Sequence, residues 1–103
     1  MRVELLWWEG CPSYPDALEE LKRTLAAAGI DTPVDLVEVE TDEQARAERF
    51  PGSPTIRIDG EDIVAPEGAE PFSLTCRVYR LRDGRVSPTP DPEDLREAIR
   101  RAR

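Results

Sequence analysis

An apolar run at residues 2–8, RVELLWW, stops at Glu9-Gly10 and passes directly into Cys11-Pro12. Its shortness and its turn boundary read as a strand buried on both faces, the kind that lies inside a covered sheet rather than at its edge. Residues 15–28 follow with Leu18, Leu21 and Leu25 at helical spacing, and Gly29 stands where a helix ends on a left-handed residue. A buried strand feeding an amphipathic helix through a Gly-Cys-Pro turn makes the chain α/β. It also puts a thiol at the strand-to-helix junction.

The rest of the chain continues the alternation. VDLVEVE (34–40) alternates apolar and polar residues as a second strand. Thr41 opens TDEQ, a capping-box pattern that predicts a short helix over 42–49. SPTIRIDGEDIV (53–64) is two short strands joined at Asp59-Gly60, the strongest hairpin signal in the sequence. Asp91 caps and Pro92 begins a terminal helix whose inward stripe is Leu95, Ala98 and Ile99. The order is β-α-β-α-β-β-α. Between Ile63 and Asp91, APEGAEPFS reads as loop, while LTCRVYRL and RVS read as a hairpin turned at RDG.

With 103 residues the chain holds one domain, 1–103, and no second one. No run approaches the ~18 apolar residues of a membrane span, and no basic segment precedes an apolar run and a cleavage site, so the sequence predicts a cytoplasmic protein without membrane contact. A net charge of −8 argues against nucleic acid, whose phosphates it repels. The basic cluster of Arg96, Arg100, Arg101 and Arg103 suits the C-terminal end of a helix.

Histidine is absent, which removes Cys-His dyads, Ser-His-Asp triads and imidazole metal sites together. Two cysteines remain, Cys11 and Cys76, without Cys-x-x-Cys spacing, too few for a structural zinc site. No metal and no cofactor is expected. The two thiols form a redox pair, or act singly, or pack as inert residues.

Two signatures in register with the element order resemble the thioredoxin and glutaredoxin superfamily: Cys11-Pro12 at the first strand–helix junction, and GSPT (Gly52, Ser53, Pro54, Thr55) just before the third strand. The likeness spans about residues 2–65 and 91–102. EGCP, RFPGSPTIRIDG and LTCRVYR, in that order, are similar to a group of small bacterial thioredoxin-like proteins, some labelled as related to alkylmercury lyase. The resemblance implies a four-stranded mixed sheet with flanking helices and an inserted loop or hairpin before the last helix. It further implies a nucleophilic Cys11 and a cis-proline at Pro54, beside which the Ser53 backbone presents its N–H and C=O to a ligand. Pro12, Tyr14, Ser53, Pro54 and Thr55 would then line the substrate side. The departure is Tyr14, which stands where a dithiol protein of this type has its second cysteine.

In such a fold the hairpin returns the chain to the Cys11 end of the sheet, so residues 65–90 fold over that end. Cys76 then comes within disulfide reach, or else packs as a small apolar residue. Closing the 65-residue separation stabilises the oxidised form by roughly 4 kcal/mol on the chain-entropy model. A helix N-terminus favours the thiolate of Cys11, while Glu9 and Asp16 oppose it. Arg77 and Arg80 either offset those charges or form a solvated strand face. Trp7 and Trp8 point to opposite faces of the strand, and Tyr14 is either a helix-surface residue or a hydroxyl donor to a thiolate. Glu4 reads as exposed rather than as a buried acid. The expected function is thiol–disulfide exchange with protein or low-molecular-weight thiol substrates, in which Cys11 attacks and Cys76 resolves. The alternatives are a soft-metal dithiol site of the mercury or copper(I) kind and a non-catalytic binding module on the same scaffold.

Overall fold

A computed structural model describes residues 1–65 and 72–103. The elements are β1 (Val3–Trp7), α1 (Tyr14–Ala27), β2 (Val34–Glu38), α2 (Asp42–Ala47), β3 (Thr55–Ile58), β4 (Glu61–Asp62), β5 (Tyr79–Arg80), β6 (Val86–Ser87) and α3 (Pro92–Ala102). β1 to β4 form one sheet in the order β2-β1-β3-β4. β1 runs parallel to β2 and antiparallel to β3, and β3 is antiparallel to β4. The fold is therefore mixed α/β, with helices flanking a four-stranded mixed sheet.

β1 is central, and the period of 2 along a strand divides its side chains between two cores. Val3 and Leu5 are buried with Leu21 and Leu25 of α1 and with Leu95 and Ile99 of α3. Leu6 faces the other side, against Val39, Ala45 of α2 and Phe50. Trp7 packs on the first of these clusters and Trp8 on the second, as the alternation requires. Glu4, read from the sequence as exposed, is instead largely covered, its side chain 13% exposed on the central strand, and it is paired: Arg2 lies 3.4 Å from its carboxylate.

Local signals account for the element ends. The Thr41 hydroxyl accepts from the Gln44 N–H at 3.0 Å, and the Gln44 carboxamide oxygen accepts in turn from the Glu40 N–H at 3.0 Å. The return bond thus lands one residue ahead of the cap. Asp91 accepts from the Glu93 N–H at 2.9 Å, with Pro92 opening α3. Asp59 and Gly60 both take positive φ, 53° and 85°, which is the backbone a tight two-residue hairpin turn demands.

The LTCRVYRL segment differs from its reading as one strand. Only Tyr79–Arg80 pairs with Val86–Ser87, because residues 75–77 pair elsewhere. Arg82 ties this small hairpin to α3, with its backbone N–H on Asp91 at 2.8 Å and its guanidinium on Asp94 and Glu97. The loop assigned to APEGAEPFS lies mostly outside the described residues, which resume at Phe72. Among the described residues no helix is long and apolar enough to cross a membrane.

Candidate functional site

β1 delivers the chain to Glu9-Gly10, and the Cys11 N–H closes a turn on the Trp8 carbonyl at 3.1 Å. α1 begins only at Tyr14, so Cys11 lies in the lead-in turn rather than in the helix itself. Pro15 occupies the first turn, where its missing N–H costs nothing. Cys11 is 3% exposed, although Pro12 beside it is open to solvent.

On the opposite wall, Arg49 and Gly52 take positive φ and the chain enters β3 through a cis Ser53–Pro54 bond. Ser53, Pro54 and Thr55 are all buried. The Ser53 hydroxyl accepts from the Trp8 N–H at 3.0 Å, which ties this loop to the end of β1. Its carbonyl oxygen lies 3.6 Å from Cys11 Sγ.

The third wall is residues 75–77, lying parallel to Ser53 in a single β-bridge. The Ser53 N–H donates to the Thr75 carbonyl at 2.8 Å, and the Arg77 N–H donates to the Ser53 carbonyl at 2.9 Å. Cys76, between them, is joined to Cys11 in a disulfide with a Cα–Cα distance of 5.5 Å. That separation is well within the range a disulfide tolerates. Unlike Cys11, Cys76 is an exposed residue.

Arg77 holds this arm in place. Its side chain is buried, and its guanidinium contacts the Asp62 carboxylate at 2.7 Å, the Val64 carbonyl at 2.7 Å and the Thr55 hydroxyl at 3.3 Å. It also lies 4.5 Å from the ring centroid of Tyr79, a cation–π contact. The Tyr79 hydroxyl donates to the Pro54 carbonyl at 2.5 Å. Burial pushes the Tyr79 phenol well above its ordinary value, so it stays protonated and remains a donor. Burial is also the largest influence on Asp62, raising its carboxyl against the pull of Arg77.

Of the residues singled out in the sequence, the structure gathers Cys11, Cys76, Ser53, Pro54 and Thr55 at one point. Tyr14 stands nearby by another route: its ring stacks on Trp7 with centroids 4.3 Å apart. Arg77 faces inward as an anchor, whereas Arg80, three residues on and on the opposite face, is exposed. Asp62 and Tyr79 were not foreseen. The only hint is that Arg77 and Tyr79, two apart, share one face of an extended segment.

Among the described residues, no three histidine, cysteine, aspartate or glutamate side chains cluster as metal ligands. Comparison with models of known protein families, with curated proteins and with solved structures finds no match to this chain.

Proposed function

We propose that the chain is a thiol–disulfide oxidoreductase of thioredoxin-like architecture, with Cys11 and Cys76 as its redox pair. The observation that carries the reading is the Cys11–Cys76 disulfide itself, formed between a strand–helix turn and an arm pinned across Ser53. The order β-α-β-α-β-β of the main-sheet elements, followed after the small β5–β6 hairpin by α3, the parallel β1–β2 pair and the Ser53-Pro54 segment against Cys11 support the thioredoxin-like assignment.

The chemistry balances without a cofactor. In the oxidising direction the dithiol form takes a substrate disulfide: one protein thiolate attacks it and expels one substrate thiolate. The other protein thiolate then attacks the mixed disulfide, closes Cys11–Cys76 and expels the second. The substrate is reduced by two electrons and the pair oxidised by two; the two protons of the dithiol pass to the released thiols. Run backwards, two thiols reduce the Cys11–Cys76 bond and leave as a disulfide. Substrates are thiols or disulfides of low molecular weight, or carried on proteins.

The test is equilibration in glutathione buffers of graded ratio, followed by acid quenching, alkylation and mass spectrometry. The expected product is a monomer lighter by two hydrogens, with the EGCPSY and LTCRVY peptides linked. Dimers joined through single cysteines, with no internal link, would sink the reading.

A further inference from the structure

We infer that the exchange partner enters at Cys76, and that Cys11 is the buried resolving cysteine. The inference rests on the redox reading above and reverses the order that the strand–helix position of Cys11 suggests. Three independent observations point the same way.

Access comes first. Thiol–disulfide exchange is an in-line displacement, so the attacking sulfur approaches from the side opposite the leaving sulfur, and the rate depends on which sulfur is reachable. Cys76 is an exposed residue and Cys11 is 3% exposed. An attack on Cys11 has to come from the side away from Cys76, through the protein. An attack on Cys76 comes from solvent.

Occupancy comes second. A partner laid along the Ser53 edge would need its backbone N–H and C=O, and both are already bonded, to Thr75 and Arg77. The chain's own arm fills the position from which a partner peptide would present a sulfur to Cys11. What the arm leaves to solvent is its outer side, where Cys76 and Val78 are exposed.

Anchorage comes third. Breaking the disulfide does not by itself free the arm, because Arg77 and Tyr79 still bind Asp62, Val64, Thr55 and Pro54 through buried contacts. Cys11 therefore stays covered in the reduced form, beside Cys76 and ready to close on it.

The reductive half-cycle then runs as follows. A partner thiolate attacks Cys76 Sγ, a new sulfur–sulfur bond forms between partner and Cys76, and the Cys11–Cys76 bond breaks. The electron pair leaves on Cys11, whose Sγ lies 4.0 Å from the Ser13 hydroxyl, a donor for the thiolate that develops there. A second partner thiolate attacks the partner sulfur of the mixed disulfide and releases Cys76 as thiolate. In the oxidative direction, by microscopic reversibility, the Cys76 thiolate attacks the substrate disulfide and Cys11 resolves.

The experiment uses the oxidised wild-type chain and reduced glutathione, with rapid acid quenching, alkylation of the denatured chain by N-ethylmaleimide and peptide mapping. Early time points are expected to show glutathione on Cys76 and the alkyl label on Cys11. The reduced Cys11→Ser and Cys76→Ser variants, given glutathione disulfide, supply the second measurement. Cys11→Ser is expected to form a lasting mixed disulfide on the order of tenfold faster than Cys76→Ser, since access sets the rate. Glutathione on Cys11 at early times, or Cys76→Ser reacting as fast or faster, overturns the assignment while leaving the oxidoreductase reading intact. No glutathione on either sulfur overturns both.

Discussion

The Arg77 guanidinium and the Asp62 carboxylate meet at 2.7 Å with both side chains largely out of solvent. Asp62 stands on the short strand β4, and Arg77 is the residue that follows Cys76. One ion pair thus fastens the cysteine-bearing arm to the main sheet. Truncating one partner of such a pair strands the other, at a cost of about 3–5 kcal/mol. The readiness of Asp62 to take a proton softens that cost.

Arg77→Ala is accordingly expected to lose on the order of 3 kcal/mol of stability at neutral pH, read by urea unfolding of the oxidised chain. It should also shift the Cys11–Cys76 equilibrium toward the dithiol in a glutathione titration, because an unanchored arm presents Cys76 at lower effective concentration. Arg77→Lys keeps the charge but not the planar fork that spans Asp62, Val64 and Thr55, so it should restore only part of each effect. An unchanged redox equilibrium in Arg77→Ala would mean that the arm is placed by the Ser53 bridge alone.

The acid range tests the same pair from the other side. Burial is the largest influence on Asp62 and keeps its carboxyl above the ordinary 3.8, despite Arg77, the Val64 N–H and Arg57. A folded-state pKa above the unfolded one means that the folded chain holds this proton more tightly. The contribution is therefore fully present below the unfolded value and is lost as pH rises through the raised one. Asp62→Asn has no such proton. The stability of wild type relative to Asp62→Asn is expected to fall as pH rises from the ordinary 3.8 through the raised value, by about 1.4 kcal/mol for each unit of displacement. Denaturant melts of both chains across that range give the difference directly. A gap that widens with pH would place the Asp62 carboxyl below its ordinary value.

Gly52 lies where the proline loop packs against the backbone of the arm. Its φ is +146°, and a Cβ built there falls 2.9 Å from the backbone nitrogen and Cα of Arg77. Gly52→Ala is therefore expected to cost about 1–3 kcal/mol and to slow closure of the disulfide by pushing residues 75–77 outward. Gly60→Ala is the control. It too has positive φ, +85°, but nothing lies within 4 Å of the added carbon. It should cost about 1–2 kcal/mol and leave the rate of disulfide closure unchanged.

How far these features were legible depends on the range over which they act. Thr41, Asp91 and the Asp59-Gly60 turn act over two to four residues, and each did what its local chemistry dictates. The two-sided burial of β1 was readable from Leu5 and Leu6 side by side. The arm was not. Residues 75–77 bond to Ser53 rather than continuing β5, a pairing across more than twenty residues that no local pattern encodes. Arg77 and Arg80 look alike in the sequence, and only the position of Asp62 turns one inward. The strand–helix position of Cys11 suggests an accessible thiol, whereas the arm that carries Cys76 covers it.

The disulfide closes a separation of 65 residues, so its loss is felt mainly through the unfolded chain, which gains the freedom of that loop. The chain-entropy relation puts the effect at roughly 4 kcal/mol, and for a domain of this size each kcal/mol moves Tm by about 4–8 °C. Reduction is thus expected to lower Tm by on the order of 15 °C or more, measured by thermal melts with and without excess dithiothreitol. Cys11→Ser and Cys76→Ser should each melt near the reduced wild type and be indifferent to the reductant. The buried contacts of Arg77 and Tyr79 do not involve either cysteine, so the reduced chain should still unfold in one cooperative transition. Two separate transitions in the reduced chain would show that the arm lets go before the sheet melts, and that the disulfide rather than Arg77 holds it there.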